Sequence, residues 1–212
     1  MTLLGWSPPE GMGERFTLAE AAAVFDFERV NKAGARFDWD KLNWLNGQVL
    51  REQGADALCD QLRPLWAERG WLTDAAATTA GSGPSDPLWQ RDLCDLLAPS
   101  LTLLQDGVSQ ATPFFERPTA DQAASDQLAM DGVRGALAAV LERLPAGPLE
   151  AETAQSLLSE ATAAAGVKKG LLMKSLRAAL LGSLQGPDLM TTWMLLHRIG
   201  EDRPRLEQAL LG

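Results

Sequence analysis

The spacing of apolar side chains constrains the fold of this chain more than any other feature of its sequence. From residue 38 to residue 53, Trp39, Leu42, Leu45 and Val49 recur at intervals of three or four residues, which places them on one face of an α-helix. Similar spacing recurs along most of the chain, whereas no stretch shows the sustained alternation of a β-strand. Tyrosine is absent, and alanine and leucine are abundant. The sequence therefore predicts an all-α fold.

Caps and helix-breaking residues predict where the helices begin and end. Thr17 and Glu20 have the spacing of a capping box, in which each side chain accepts a hydrogen bond from the other residue's backbone N–H. Gly54 and Gly70 are placed to end helices, and residues 113–115 predict a buried corner. Helices are predicted at about residues 17–25, 38–53, 55–69, 87–97, 101–108, 119–144, 149–165, 169–183, 188–199 and 203–211.

One segment has the composition of a linker. Residues 75–87 consist mainly of alanine, threonine, glycine, serine and proline, which favour a flexible connection over a packed element. This segment predicts two helical subdomains, one over residues 1–74 and one over residues 88–212.

Length and charge exclude several classes of protein. The 212 residues carry a net charge of −9, which is not the basic balance of a general nucleic-acid-binding protein. Residues 165–200 hold a cationic surplus, whose simplest interpretation is a solvated helix face. No apolar run reaches about 18 residues and no secretory signal opens the chain, so a cytoplasmic protein without a membrane span is expected.

The chain has few residues of the kinds that form catalytic, phosphate-binding or metal-binding sites. No glycine-rich phosphate loop is present. His197 is the only histidine, which excludes a His-clustered metal site; near a helix end it is expected to be a partly buried structural residue or a partner of the helix dipole. Cys59 and Cys94 are expected to be small core-facing residues and not a disulfide framework or a zinc site.

Tryptophan is concentrated in the first part of the chain. Helically spaced tryptophan is more simply a core residue than a stacking platform for RNA bases. Trp39, Leu42 and Leu45 are therefore predicted to be buried, and Trp39→Ala is predicted to destabilise the chain by roughly 3–5 kcal/mol.

Longer motifs at the two ends of the chain resemble a known family. Residues 29–46, R-V-N-K-A-G-A-R-F-D-W-D-K-L-N-W-L-N, closely resemble the segment that follows the catalytic half of bacterial glutamyl-tRNA synthetases. Residues 3–8, L-L-G-W-S-P, resemble the family's stretch just upstream. Residues 166–170, 175–180 and 186–189 resemble the family's C-terminal block.

The resemblance implies a tRNA-binding piece of that ligase. The family's His-x-Gly-His and Lys-Met-Ser-Lys-Ser motifs are absent, so the chain is expected to begin after the second motif and to have no catalytic activity alone. ATP and Mg²⁺ belong to the full-length family, and no cofactor is expected in this chain. Residues 1–74 resemble the stem-contacting helices, and the C-terminal domain resembles a helical cage for the anticodon loop. The expected partner is glutamate tRNA, and the protein itself is expected to be a monomer.

The same resemblance points to individual residues. The resemblance implies that the turn Gly186, Pro187, Asp188 and Leu189 faces the last anticodon base, the alternative being a simple corner between helices. Arg177 is expected to hold a phosphate, with a structural ion pair as the alternative. Three lysines are weaker phosphate candidates: Lys168, Lys169 and Lys174.

One departure from the family bears on specificity. Where the family often has Arg-Pro-Arg, this chain has Ala98, Pro99 and Ser100. The family's second arginine reads the middle anticodon base in members restricted to glutamate tRNA, and serine is too short for a bidentate contact with a cytosine edge there. The resemblance therefore implies a non-discriminating type that also accepts glutamine tRNA.

Two other classes of function remain as alternatives. A helical protein–protein interaction module without RNA binding is favoured by the acidic balance. An independent enzyme is disfavoured by the missing nucleotide loop and the single histidine.

Overall fold

The computed structural model describes residues 5–31, 37–72 and 83–211, and within these ranges it is all-α, as predicted. An antiparallel bridge between Trp6 and Val30 is the one β pairing among the described residues. The helices are α1 (Leu18–Val24), α2 (Trp39–Glu52), α3 (Gly54–Glu68), α4 (Pro87–Leu97), α5 (Leu104–Phe115), α6 (Gln122–Leu128), α7 (Val133–Arg143), α8 (Ala151–Ala165), α9 (Lys169–Leu181), α10 (Leu189–Arg198) and α11 (Asp202–Leu211).

The chain forms two compact units, Met1–Trp44 and Leu45–Gly212. In the first unit Trp6 is buried and stacks on Phe25 with ring centroids 5.9 Å apart. The predicted capping box of α1 is confirmed, since Thr17 Oγ1 accepts from the Glu20 backbone N–H and Glu20 Oε2 accepts from that of Thr17. Of the motifs quoted from this part of the sequence, residues 3, 4 and 32–36 lie outside the described residues.

The second unit holds a continuous apolar core. Its largest fully buried side chains include Trp66 of α3, Trp89 of α4 and Trp193 of α10. Trp89 Nε1 donates to the Leu195 carbonyl oxygen at 2.9 Å, which ties α4 to α10. Helix α3 packs against α4 and α5 in this unit. Residues 75–82 of the predicted linker lie outside the described residues, so the subdomain limits at 74 and 88 stay a prediction.

One predicted helix and one predicted corner differ from the observed structure. The single helix predicted at 119–144 is two helices, α6 and α7, because Gly132 adopts a left-handed conformation with φ of 80°. The corner predicted at 113–115 is wrong, because α5 continues through Pro113 to Phe115. The buried Phe114 keeps this last turn packed against the core, and the Glu116 N–H closes it on the Thr112 carbonyl.

The predicted burial of the α2 face is wrong at two of its three positions. Trp39 is 67 % exposed and Leu42 is 41 % exposed, whereas Leu45 is half-buried. The buried residues of α2 are Gly47 and Leu50. The spacing of apolar residues does not identify this buried face, because the face packs closely at a glycine, which has no side chain to count. A Cβ at Gly47 would lie 3.1 Å from the Leu101 carbonyl oxygen.

The two cysteines lie in the core as expected, but they form a disulfide, which corrects the expectation from the sequence. Cys59 of α3 and Cys94 of α4 have Cα atoms 5.7 Å apart, within the range that a disulfide spans, and both are buried. They are 35 residues apart in sequence, and only the packing of α3 against α4 brings them together.

The described part of the chain holds neither a metal-binding cluster nor a membrane-spanning helix. There, no group of three or more histidine, cysteine, aspartate or glutamate side chains is arranged to hold a metal ion. Within the same residues, no helix combines the length and the apolar character needed to cross a bilayer.

Candidate nucleic-acid interface

A cavity of about 1050 Å³ in the second unit is lined by three segments that are far apart in sequence. The first wall is the end of α4 and the turn that follows it. The second wall is the turn between α7 and α8, and the third runs from Pro187 into α10. We call this space the anterior cavity.

The first wall ends at Ser100, the last residue of a short 3₁₀ turn, Ala98–Ser100. Proline at position 99 is the second residue after α4 and fixes the course of the backbone there. Ser100 is exposed, and its Oγ lies 2.9 Å from the Leu97 carbonyl oxygen and 2.6 Å from Gln110 Oε1. The hydroxyl is thus engaged within the protein at the rim of the cavity.

The second wall is formed by residues 146–150. Proline stands at positions 145 and 148, so the turn has few backbone donors of its own. The Gly147 carbonyl oxygen lies 2.9 Å from Nε2 of His197. Glu150 is the N-cap of α8 but its side chain makes no capping hydrogen bond, and its carboxylate is exposed at the cavity wall.

The third wall depends on a glycine and an arginine. Gly186 has a φ of 149°, and a Cβ there would lie 2.7 Å from Leu181 Cδ1. Arg177 Nη1 donates to the Pro187 carbonyl oxygen at 2.6 Å. Asp188 caps α10, and its hydrogen bonds from the backbone and hydroxyl of Thr191 hold the pKa of Asp188 below its usual value.

The structure brings together three of the residues singled out from the sequence. Ser100, Pro187 and Asp188 line the anterior cavity. Gly186 forms the bend beside them, and Arg177 holds that bend by donating a hydrogen bond to the Pro187 carbonyl oxygen. Leu189 is 2 % exposed, so its side chain belongs to the core.

The three lysines lie elsewhere on α9. Lys168 is the N-cap of α9, and Lys169 and Lys174 are exposed on the helix itself. None of the three lines the anterior cavity. Lys169 instead lines a shallower depression of about 490 Å³ along α8, beside Glu152 and Glu160.

Arg198 is a cavity residue that sequence reasoning missed. Its Nη1 donates to Asp92 at 2.7 Å and its Nη2 donates to Asp86 at 2.8 Å. The hydrogen bond from Arg198 lowers the pKa of Asp86. Arg198 belongs to the cationic stretch seen in the sequence, but its partners are more than 100 residues away, and no local pattern identifies them.

The cavity wall is acidic. Four carboxylates line it, and among the described lining residues Arg198 is the one lysine or arginine. The four are Asp92, Asp95, Glu150 and Asp188. Such a wall repels phosphate and accepts hydrogen bonds from amino and imino groups, which are the donors on the edges of nucleic-acid bases.

His197 completes the wall. The sequence predicts a partly buried structural histidine near a helix end, and this is confirmed: its side chain is 13 % exposed in the last turn of α10. Its Nδ1 lies 2.8 Å from Oδ2 of Asp202, which is buried at the start of α11.

Comparison with known proteins agrees with this architecture. Residues 57–210 match the family model of the anticodon binding domain. The glutamate–tRNA ligase of Parasynechococcus marenigrum (strain WH8102) is 61 % identical over 99 % of this chain and 43 % of the relative. That of Synechococcus sp. (strain RCC307) is 62 % identical over 99 % of this chain and 42 % of the relative.

Solved structures give the same result at lower sequence identity. A glutamate tRNA ligase from Elizabethkingia meningosepticum, in complex with its amino acid, matches 99 % of this chain and 39 % of its own, with a TM-score of 0.81 and 25 % identity. The chain spans about two fifths of the length of the ligases it matches. The chain therefore belongs to the anticodon-binding domain family, and over nearly all of its length it is similar to glutamate–tRNA ligases.

Proposed function

We propose that this chain binds glutamate tRNA through the anticodon loop, as part of a glutamate–tRNA ligase. The observation that carries the proposal is the meeting of Ser100, Pro187 and Asp188 at one cavity, although they come from separate segments of the sequence. Family membership supports the same partner. Aminoacylation with ATP and Mg²⁺ belongs, in this proposal, to the whole ligase, which acts in the cytoplasm as a monomer.

In this proposal the anterior cavity receives bases and not phosphates. Splayed bases of an RNA loop present N–H groups that the cavity carboxylates can accept, while four negative charges keep the backbone outside. The exposed lysines at 168, 169 and 174 attract that backbone. Arg177 acts through the turn, because its hydrogen bond fixes the carbonyl of Pro187.

A salt titration of tRNA binding tests the proposal. Binding of bulk tRNA to the chain should weaken steeply with salt, because phosphate contacts release counterions. Replacing all three lysines by glutamine should weaken binding and flatten the salt dependence, whereas the matched replacement by arginine should preserve both. Absence of binding at low salt would instead favour a protein–protein interaction module.

Specificity between tRNAs is the finer part of the proposal. Ser100 lies at the cavity rim, and its hydroxyl is hydrogen-bonded to Leu97 and Gln110. It therefore cannot make a bidentate hydrogen bond to a base. We therefore expect tRNAs with C or U at the middle anticodon position to bind within about tenfold of each other. Ser100→Arg should favour the tRNA with C at that position, since a bidentate base contact contributes roughly 1–3 kcal/mol of discrimination.

Ser100→Ala is the matched control for this test, because it removes the hydroxyl and adds no donor. Its ratio of the two dissociation constants should equal that of the parent. A parent that already separates the two tRNAs by far more than tenfold, or a Ser100→Arg variant with an unchanged ratio, contradicts the assignment of Ser100.

A further inference from the structure

The first unit, Met1–Trp44, exposes much of its apolar surface. Among the described residues of the whole chain twelve large apolar side chains are exposed, and seven of them belong to this unit. The apolar residues that are buried in its described part are Trp6 and Ala21. So small a unit, with so small a core, needs a further partner for stability. Its exposed apolar side chains therefore mark a surface that another body covers.

Three of these side chains form a patch on α1 and the residues that follow it. Leu18 and Phe25 are seven residues apart, which places them along one face of the helix and its C-cap. Phe25 contacts Phe27, and the two ring centroids are 5.2 Å apart. Leu18 is 84 % exposed and Phe27 is 82 % exposed. We call Leu18, Phe25 and Phe27 the α1 patch.

The α1 patch is continuous with the small core of the unit. Trp6 lies next to Phe25 on one side and Phe16 on the other, with ring centroids 5.9 Å apart in both pairs. Trp6 is buried, yet its Nε1 has no hydrogen-bond partner among the described residues. A buried N–H without an acceptor is destabilising. The unit therefore lacks polar contacts as well as apolar ones beside the patch.

The charges around the α1 patch disfavour RNA as its partner. Residues 18–29 carry three carboxylates, on Glu20, Asp26 and Glu28, and one cation, on Arg29. All four of these residues are exposed, and two of the carboxylates flank Phe27 directly in sequence. An apolar patch with an acidic rim repels phosphate and suits a protein surface with a basic rim.

The comparisons with known proteins indicate which protein surface this is. The anticodon binding domain model matches residues 57–210, so the first unit lies outside it. The ligase relatives nevertheless match 99 % of this chain, so the first unit is also part of what the ligases share. The match covers 43 % of the Parasynechococcus marenigrum ligase and 39 % of the Elizabethkingia meningosepticum structure. More than half of each ligase thus lies outside the matched region and is available to cover the patch.

We propose that Leu18, Phe25 and Phe27 form the face by which the first unit docks onto the part of the ligase that lies outside the matched region. Phe27 is the anchor of this face, because it is a large aromatic side chain that is almost fully exposed. The inference rests on the proposed function, in which this chain acts as part of a whole ligase.

Hydrogen exchange of α1 is the first test. It compares this chain alone with a whole ligase in which the chain replaces the matching 43 % of the Parasynechococcus marenigrum ligase. The amides of residues 18–28 should exchange at least about tenfold more slowly in the whole ligase, because docking suppresses local opening. The amides of α8, in the second unit, are the internal reference and should exchange equally in both proteins.

Equal exchange of residues 18–28 in the two proteins overturns the proposal. A whole ligase that does not fold, or does not charge tRNA, counts against it equally, because the proposal requires this patch to fit the rest of a ligase.

Substitutions on the patch are the second test. Phe27→Ser and Leu18→Ser should leave the urea unfolding midpoint of the isolated chain near that of the parent, because both side chains are exposed there. In the whole ligase each should restore the faster exchange of residues 18–28. Leu211→Ser is the matched control, since Leu211 is 85 % exposed in α11 and lies outside the patch. Patch variants that keep the slow exchange overturn the proposal.

Two measurements on the isolated chain distinguish other partners. Phe27→Ser should bind tRNA as tightly as the parent, and a loss of affinity would assign the patch to RNA. The chain should sediment as a monomer, and a dimer that Phe27→Ser dissociates would assign the patch to a second copy. Either result overturns the proposal. A chain that binds no tRNA defeats the proposed anticodon function, while the exchange measurements still decide whether the patch docks.

Discussion

At Gly186 a single residue decides whether the third wall of the anterior cavity can form. Its φ of 149° is in a region that side chains rarely adopt, and a Cβ would lie 2.7 Å from Leu181 Cδ1 and 3.3 Å from Arg177 Nη1. Arg177 is the side chain that fixes the Pro187 carbonyl. The glycine therefore permits both the bend and the hydrogen bond that stabilises it.

We expect Gly186→Ala to lower the free energy of unfolding by roughly 1–3 kcal/mol, because it combines backbone strain with a clash. The matched control is Gly135→Ala. Gly135 is exposed inside α7, with ordinary φ and open space around its Cβ direction, so alanine there should stabilise by roughly 0.5–1 kcal/mol. Urea unfolding of the two variants should move in opposite directions, and equal effects would contradict this account.

Helix α4 depends on its first turn and on a bond to its neighbour. Asp86 caps the helix by accepting from the Leu88 backbone N–H at 3.0 Å, and Pro87 begins it. The other carboxylate oxygen of Asp86 accepts from Arg198 at the end of α10. A disulfide then connects α4 to α3. The first wall of the cavity is therefore fixed to two neighbouring helices.

The ion pair of Asp86 predicts a dependence of stability on pH. The hydrogen bond from Arg198 depresses the pKa of Asp86, so the pair stabilises the fold above about pH 4 and this contribution is lost as the pH falls through the folded-state pKa. Asp86→Asn keeps a capping side chain but removes the charge. This substitution should lower the free energy of unfolding by at most about 1 kcal/mol at neutral pH, because Arg198 is partly exposed. In strong acid it should leave the free energy of unfolding unchanged.

Urea titrations at pH 7 and near pH 2.5 measure this difference. The double variant Asp86→Asn with Arg198→Gln should be no less stable at pH 7 than Arg198→Gln alone. A cost of Asp86→Asn that is the same at both pH values would point to the cap and not to the ion pair.

The disulfide between α3 and α4 predicts a response to reductant. It joins residues 35 apart, and a cross-link of this span stabilises by roughly 3–4 kcal/mol when the loss of entropy in the unfolded chain is counted. Reductant should therefore lower the unfolding free energy of the parent, but not that of the double variant Cys59→Ala with Cys94→Ala. A parent whose unfolding curve ignores reductant would show that the bond is absent in solution.

Over the whole molecule, the tryptophans are divided between core and surface. Trp66 and Trp193 are fully buried in the second unit, whereas Trp39 is 67 % exposed. The helical spacing of apolar residues is the same for the buried and for the exposed tryptophans. Such spacing shows that a helix has an apolar face, but it does not show whether another helix covers that face. The stability of the chain therefore depends on α3 and α10 more than on the start of α2.

Alanine substitutions measure this division. Trp66→Ala should lower the free energy of unfolding by roughly 3–5 kcal/mol, because it removes a buried apolar side chain and leaves a cavity in the core. Trp39→Ala should cost less than about 1 kcal/mol, in place of the larger value predicted from the sequence alone. A large loss of stability in the Trp39→Ala variant, measured by urea unfolding, would show that the start of α2 is covered in solution.

The sequence was sufficient for features whose cause lies within a few residues. The capping box at Thr17 and Glu20, the turn at Gly186 and the all-α fold follow from periodicity, caps and breakers, which act over about one helical turn. Ser100 and the 186–189 turn could be named as separate motifs, but nothing local showed that they line the same cavity.

Only the tertiary structure decided which distant groups meet. Arg198 contacts Asp86 across 112 residues, His197 contacts Gly147 across 50, and Cys59 is bonded to Cys94 across 35. It also decided that α2 buries Gly47 and exposes Trp39. The physical reason is that caps and spacing depend on nearby backbone, whereas burial and long-range pairing depend on which helices pack together once the whole core has formed.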